Sequence, residues 1–156
     1  MTDDEKMLKH IEQTIAHRTA VRENIQLVTA MLNRRATRHD NSKLYEPEAS
    51  AFASIIGGLA DVSYGTEEYK KQLEPVKDAL AHHYETNRHH PEHFTNGFKG
   101  MNLVDLVEMF CDWVASTSRH KDGDIYNSIR QNKDRFDYSD ELEMIFINTV
   151  AEVFKL

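Results

Sequence analysis

The chain has 156 residues, with 19 Lys and Arg against 26 Asp and Glu, a formal net charge of -7 and 40% hydrophobic residues. A chain of this length buries roughly 68–70% of its unfolded surface on folding, so neither a disulfide nor a structural metal is needed to complete a core. The acidic balance argues against long nucleic acid as the main partner, and the single Cys111 excludes a disulfide framework or a CxxC site. No apolar run approaches the roughly 20 residues of a membrane span, and the acid-bearing start MTDDEKMLKHIEQ is unlike a signal peptide. The setting these features imply is the reducing cytoplasm.

Helical periodicity runs along the whole chain without a competing strand alternation, so the expected fold is all-α, one helical-bundle domain over residues 1–156. From Asp4 to Arg35, apolar residues recur at Leu8, Ile11 and Ile15, then at Val21, Ile25, Val28 and Leu32. The phase slips near residues 16–20, giving one long helix or two stacked end to end. Residues 36–44 read as a helix end or short helical turn, because Asp40, Asn41 and Ser42 compete for backbone hydrogen bonds.

A second helix should start near Pro47 and weaken at Gly57-Gly58, with 61–66 as a loop. Thr66 caps a further helix, restarted at Pro75 and ending near Tyr84 or Glu85. His89 and His90 then fall in a loop over 87–102, since the residue before Pro91 is biased away from helix. Asn102 caps a helix with an apolar stripe of Leu103, Leu106, Val107, Phe110 and Val114 and an acidic stripe of Asp105, Glu108 and Asp112. Asp122-Gly123-Asp124 marks a turn. A short helix around 125–132 and a final one from Asp140 complete the chain, the latter with Leu142, Ile145, Phe146, Val150 and Val153 as its apolar face. That face suits the core first and a homodimer interface second.

Histidine is the anomaly: nine residues, five of them between His82 and His93. Two pairs, His82-His83 and His89-His90, are separated by acidic and polar residues, and such clustered imidazoles repel protons unless a ligand joins them. Neutral imidazole favours a divalent transition metal, Fe, Mn, Co, Ni or Zn, over Mg or Ca. His17 lies on the same face as Val21, Ile25 and Val28 and is expected to point inward, with His10 as a competitor one heptad earlier. His39-Asp40 offers two ligands at a helix end. Asp112 sits beside Trp113 in an apolar stretch, where a carboxylate needs a cation or several donors.

The order His17, His39-Asp40, Asp112 resembles the HD-domain superfamily of metal-dependent phosphohydrolases, and HDNSK looks like a variant of its HD-x-G-K string. Over nearly its full length the chain is also similar to a family of small bacterial and phage proteins with RHDxSK, HHYxxNxHHPEH and EMxCDW segments, which implies no particular activity. The superfamily resemblance implies an HD-like domain holding one or two metal ions through His17, His39, Asp40 and Asp112. His82 and His83 stand where extra ligands occur, with His89 and His90 as further metal or substrate ligands. No histidine lies between Asp40 and His82, so one ligand of the multinuclear pattern is missing or replaced by Glu48.

Such a site would lower the pKa of bound water and polarise a phosphoryl oxygen, hydrolysing a phosphate ester or anhydride of a nucleotide or other small phosphorylated metabolite. Arg18, Lys43 and Arg88 are basic residues close in sequence to the ligands and suit the substrate phosphate. Lys43, Glu48 and Glu85 are the candidates for charge stabilisation and proton transfer. Two other readings of the same ligand set are a dinuclear-iron oxygenase and a non-catalytic protein that sequesters a metal or nucleotide.

Overall fold

The computed structural model describes residues 1–56, 67–118 and 123–156, with the backbone alone at Tyr69 and Lys70. Every regular element among them is helical, so the chain is all-α. It divides into two compact units, Met1–Thr37 and Arg38–Leu156. The expected stop at Gly57-Gly58, the loop and Thr66 cap over 61–66, and Asp122 of the expected turn lie outside the described residues.

Unit 1 is the single helix α1 (Asp3–Arg38), opened by Asp3, Asp4 and Glu5, whose charges suit the positive end of the helix dipole. The phase slip does not break it, because Ala16 and Ala20 at that point are strong helix formers. None of its residues is buried. The expectation that His17 points into a core is therefore corrected: His17 is exposed, as are His10 and Arg18. A stripe of apolar residues is buried only where another element covers it, and a lone helix offers no cover of its own.

Unit 2 carries the core. It comprises α2 (Glu48–Ser54), α3 (Glu67–Leu73), α4 (Lys77–Thr86), α5 (Leu103–Thr117), α6 (Ile125–Phe136) and α7 (Asp140–Thr149), joined by 3₁₀ turns and closed by a π-helical turn over Val150–Phe154. A 3₁₀ turn at Glu74–Val76 separates α3 from α4, placing the restart at Pro75 as expected. Met109, Phe110, Ile125, Ile129, Tyr138, Phe146 and Val150 form one buried cluster between α5, α6 and α7. Phe110 stacks on Phe146 at 4.6 Å between ring centroids. Tyr138, also buried, donates its hydroxyl proton to the Ile129 carbonyl at 2.6 Å. Full burial of each large apolar side chain is worth about 1.5–3 kcal/mol, so this cluster dominates the stability of the unit. At its other end, α2 packs against α4.

The helix that links core to site is α5. Asn102 and Asp105 form a reciprocal capping box at its start: the Asn102 side chain accepts from the Val104 and Asp105 amides, and Asp105 accepts from the Asn102 amide at 3.0 Å. The same Asp105 carboxylate takes a two-point contact from Arg88, Nε at 3.1 Å and Nη2 at 2.8 Å, tying the loop after α4 to α5. The two stripes of α5 do not divide into a buried apolar face and an exposed acidic one. Leu103 and Val107 of the apolar stripe are exposed, whereas Asp105 and Glu108 of the acidic stripe are buried and Asp112 is half-buried. The acids turn inward because basic and imidazole partners await them there.

Asp105 is fully buried but Arg88 is 43% exposed and can turn to water, so Asp105→Ala is expected to destabilise the protein by about 2 kcal/mol, against about 1 kcal/mol for loss of the Asn102 cap alone. Urea unfolding of the two variants measures the difference, and equal losses would show that the Arg88 pair contributes nothing beyond the cap.

Candidate metal centre

Three segments of unit 2 meet beside the core. The first is the corner after α1, where Asp40 adopts a left-handed conformation (φ 56°, ψ 16°) and opens the 3₁₀ turn Asn41–Leu44. Asp tolerates this region better than most residues, though at some conformational cost. The strained corner turns the Asp40 carboxylate into the protein, with Lys43 Nζ at 2.6 Å from Oδ2.

The second segment is the end of α4 and the loop that follows. Adjacent helical residues diverge by about 100°, so only one of His82 and His83 can face inward. His83 does, at 1% exposure, while His82 stays at the rim. Asn87 ends the helix, its side-chain amide donating to the His83 carbonyl and to Ser42 Oγ. Extended backbone at His90, imposed by Pro91, then carries the loop back so that His89, also 1% exposed, and His90 join His83. The third segment is the inward acidic face of α5, with Glu108 and Asp112.

Asp40 Oδ1 lies 3.3 Å from His83 Nε2 and 3.4 Å from His89 Nε2, and His83 Nε2 is 2.9 Å from His90 Nε2. One carboxylate oxygen and three imidazole nitrogens thus converge, with all four atoms within 4.8 Å of one another. Metal–ligand bonds of about 2.0–2.2 Å place neighbouring ligand atoms about 2.8–3.6 Å apart, whether the polyhedron is octahedral or tetrahedral. The observed spacings fall in that interval. Asp40 Oδ1 and His89 Nε2 are buried and find no hydrogen-bond partner among the described residues, a costly arrangement unless a cation sits between them. A second group, His39, His89 and Glu108, adjoins the first through His89.

Two carboxylates fix the imidazoles from behind. Glu48, fully buried on α2, accepts from His83 Nδ1 at 2.8 Å, from His82 Nδ1 at 2.8 Å and from the Ser42 hydroxyl at 2.9 Å. A carboxylate only accepts, so the His83 Nδ1 proton is directed at Glu48, and this contact fixes the ring with Nε2 facing Asp40 and His90. Glu108 Oε1 stands likewise 3.0 Å from His39 Nδ1 and 3.4 Å from His89 Nδ1. Carboxylates placed behind imidazoles orient metal ligands in this way.

The electrostatics agree with the geometry. Burial raises the Asp40 pKa, but His83, His89 and Lys43 outweigh it and hold the carboxyl well below its usual range. The Asp112 and Glu108 carboxylates lift His39 to about 10 against the effect of burial. Burial, with His89 and His83 alongside, pushes His90 down to about 2, so its imidazole is neutral and available as a ligand.

The structure distributes the sequence candidates unevenly. It brings together Asp40, His83, His89 and His90, with His39 and Asp112 adjoining: His39 Nε2 is 3.7 Å from Asp40 Oδ2 and 3.6 Å from Asp112 Oδ1. His82 is turned to Glu48 instead of into the ligand group. Glu48 supports the histidines and belongs to neither ligand group, because its oxygens already accept from Ser42, His82 and His83. Glu85 is exposed. Arg88 is bound to Asp105 and lies over Phe94 at 4.8 Å. His17 and Arg18 belong to unit 1 and to neither ligand group. Glu108 was not among the sequence candidates; its signal was present in EMFCDW, four residues before Asp112 on the same helical face.

These observations define an all-α protein with a buried histidine–carboxylate cluster that could hold a metal ion. The chain belongs to the family of unknown function DUF5662, whose model matches residues 6–155. Neither a curated protein nor a solved structure matches it.

The cluster separates the members of the first histidine pair. His83→Ala and His89→Ala are each expected to lower bound transition metal at least tenfold, measured by elemental analysis, while His82→Ala retains it. Metal retention in all three variants would reject the cluster as a binding site. A second expectation concerns pH. With a folded pKa near 10 and an unfolded one near 6.5, His39 stabilises the chelator-treated protein fully below about pH 6.5, and that contribution disappears as pH rises towards 10. Thermal unfolding between pH 6 and 10 should therefore fall more steeply for the parent protein than for His39→Gln.

Proposed function

We propose that the protein is a metal-dependent phosphohydrolase acting on an ester or anhydride of a small phosphorylated metabolite such as a nucleotide, on an HD-like scaffold. The observation that carries this reading is the convergence of Asp40 Oδ1 with His83, His89 and His90 Nε2, two of which, Asp40 Oδ1 and His89 Nε2, have no hydrogen-bond partner among the described residues. The imidazole-rich donor set suits Fe, Mn, Co, Ni or Zn, and such an ion supplies Lewis acidity towards a phosphoryl oxygen and lowers the pKa of water it holds. The order of His39, Asp40 and Asp112 along the chain supports the same class.

The remaining roles fall to residues around the cluster. Lys43 keeps its ammonium beside Asp40 Oδ2 with a partly exposed side chain, placing a positive charge where a phosphate oxygen would approach. His39 and Asp112 line the same side of Asp40. Glu48 and Glu108 hold the imidazoles in one tautomer and keep the ligand side preorganised.

The test starts with elemental analysis of untagged protein purified without chelator, followed by phosphate release from nucleotides and sugar phosphates in the presence of the metal found. Asp40→Ala is expected to abolish both metal and turnover. Lys43→Ala is expected to retain metal and raise KM about tenfold. Oxygen consumption without phosphate release would favour an oxygenase, and stoichiometric nucleotide binding without product would favour a sequestering protein.

A further inference from the structure

Unit 1 leaves a question that the metal centre does not address: what covers α1. Eight of its large apolar residues, Met7, Leu8, Ile11, Ile15, Val21, Ile25, Val28 and Met31, are between 41% and 60% exposed, and the helix buries nothing. Large apolar residues exposed in this number along one helix mark an interaction site, and an isolated helix draws its stability mainly from a packed face. At 36 residues α1 is about 54 Å long.

The charge pattern points to what covers it. Towards the N-terminus, Asp3, Asp4, Glu5 and Glu12 outnumber Lys6 and Lys9, leaving two net negative charges. Towards the C-terminus, Arg18, Arg22, Arg34, Arg35 and Arg38 outnumber Glu23, leaving four net positive charges. A helix acidic at one end and basic at the other is complementary to a reversed copy of itself. Parallel pairing would instead set like charges side by side.

Two apolar pairs share this reversal. About a centre at Ala20, Leu8 of one copy falls opposite Leu32 of the other, and Ile15 opposite Ile25. At 100° per residue Arg18 and Arg22 share the face of Ile15 and Ile25 at the crossing, where their long stems can lie along the apolar seam with the guanidinium groups turned outward to water. A stable interface draws about 20–30 residues a side, which one face of a 36-residue helix and its flanks nearly provide.

We propose that α1 is a dimerisation helix: two copies of the chain pair through antiparallel α1 helices in a closed, two-fold interface. The proposal is independent of the metal centre. Analytical ultracentrifugation of the full chain at 50 µM should give twice the 18.1 kDa chain mass. The double variant Ile15→Asp, Ile25→Asp should weaken the dimer at least 100-fold while leaving the thermal unfolding of unit 2 unchanged, as both residues are exposed in unit 1. Orientation is read by disulfide trapping in a Cys111→Ser background. Leu8→Cys with Leu32→Cys should cross-link two chains, whereas Leu8→Cys alone should not, because antiparallel pairing holds the two Leu8 sites about 36 Å apart. A monomeric parent protein, a dimer indifferent to the Asp substitutions, or cross-linking through Leu8→Cys alone would each overturn the proposal.

Discussion

The Asp40 carboxylate is the constraint around which unit 2 is arranged. It is set in a left-handed corner, turned into the protein, and surrounded by Lys43 and the imidazoles of His83 and His89. Burying such a charge is unfavourable unless cations or donors meet it, and every neighbouring segment supplies one. The end of α4, the loop held by Pro91 and the acidic face of α5 are all placed by that requirement. The buried aromatic cluster around Phe110 and Phe146 supplies the stability that lets the strained corner persist.

Polar groups in this region form two opposed layers. One consists of donors and acceptors that satisfy each other, with Glu48 serving Ser42, His82 and His83, and Glu108 serving His39 and His89. The other, in front of them, is the convergence of Asp40 with three Nε2 atoms, where Asp40 Oδ1 and His89 Nε2 have no hydrogen-bond partner among the described residues. A purely structural network tends to be satisfied throughout, because an orphaned buried polar atom costs about 1–3 kcal/mol. The contrast between a complete rear layer and an incomplete front layer is what would suit the cluster to a metal ion in physical terms.

Much of this was legible in the sequence. The restart at Pro75 and the Asn102 cap follow from local chemistry, which acts within a few residues. The importance of Asp40, His83, His89 and His90 followed from residue type and clustering, but the choice between His82 and His83 did not. That choice depends on helix phase relative to Glu48, a contact 34–35 residues away in the chain. The inward turn of Asp105 was hidden for a similar reason, since Arg88 reaches it across 17 residues. His17 misled because a helical stripe specifies a face and leaves open what covers it. The same limit explains why α1 read as core from its periodicity alone.

The central claim is that Asp40 and three imidazoles form one metal-binding focus. X-ray absorption at the edge of the metal found in the untagged protein tests it most directly. The account predicts a first coordination shell of oxygen and nitrogen at about 2.0–2.2 Å, with the outer-shell scattering of about three imidazole rings. That signal should fall by one ring in His90→Ala, a variant in which Asp40, His83 and His89 remain to hold the ion. A shell without imidazole scattering, or one unchanged by His90→Ala, would contradict it.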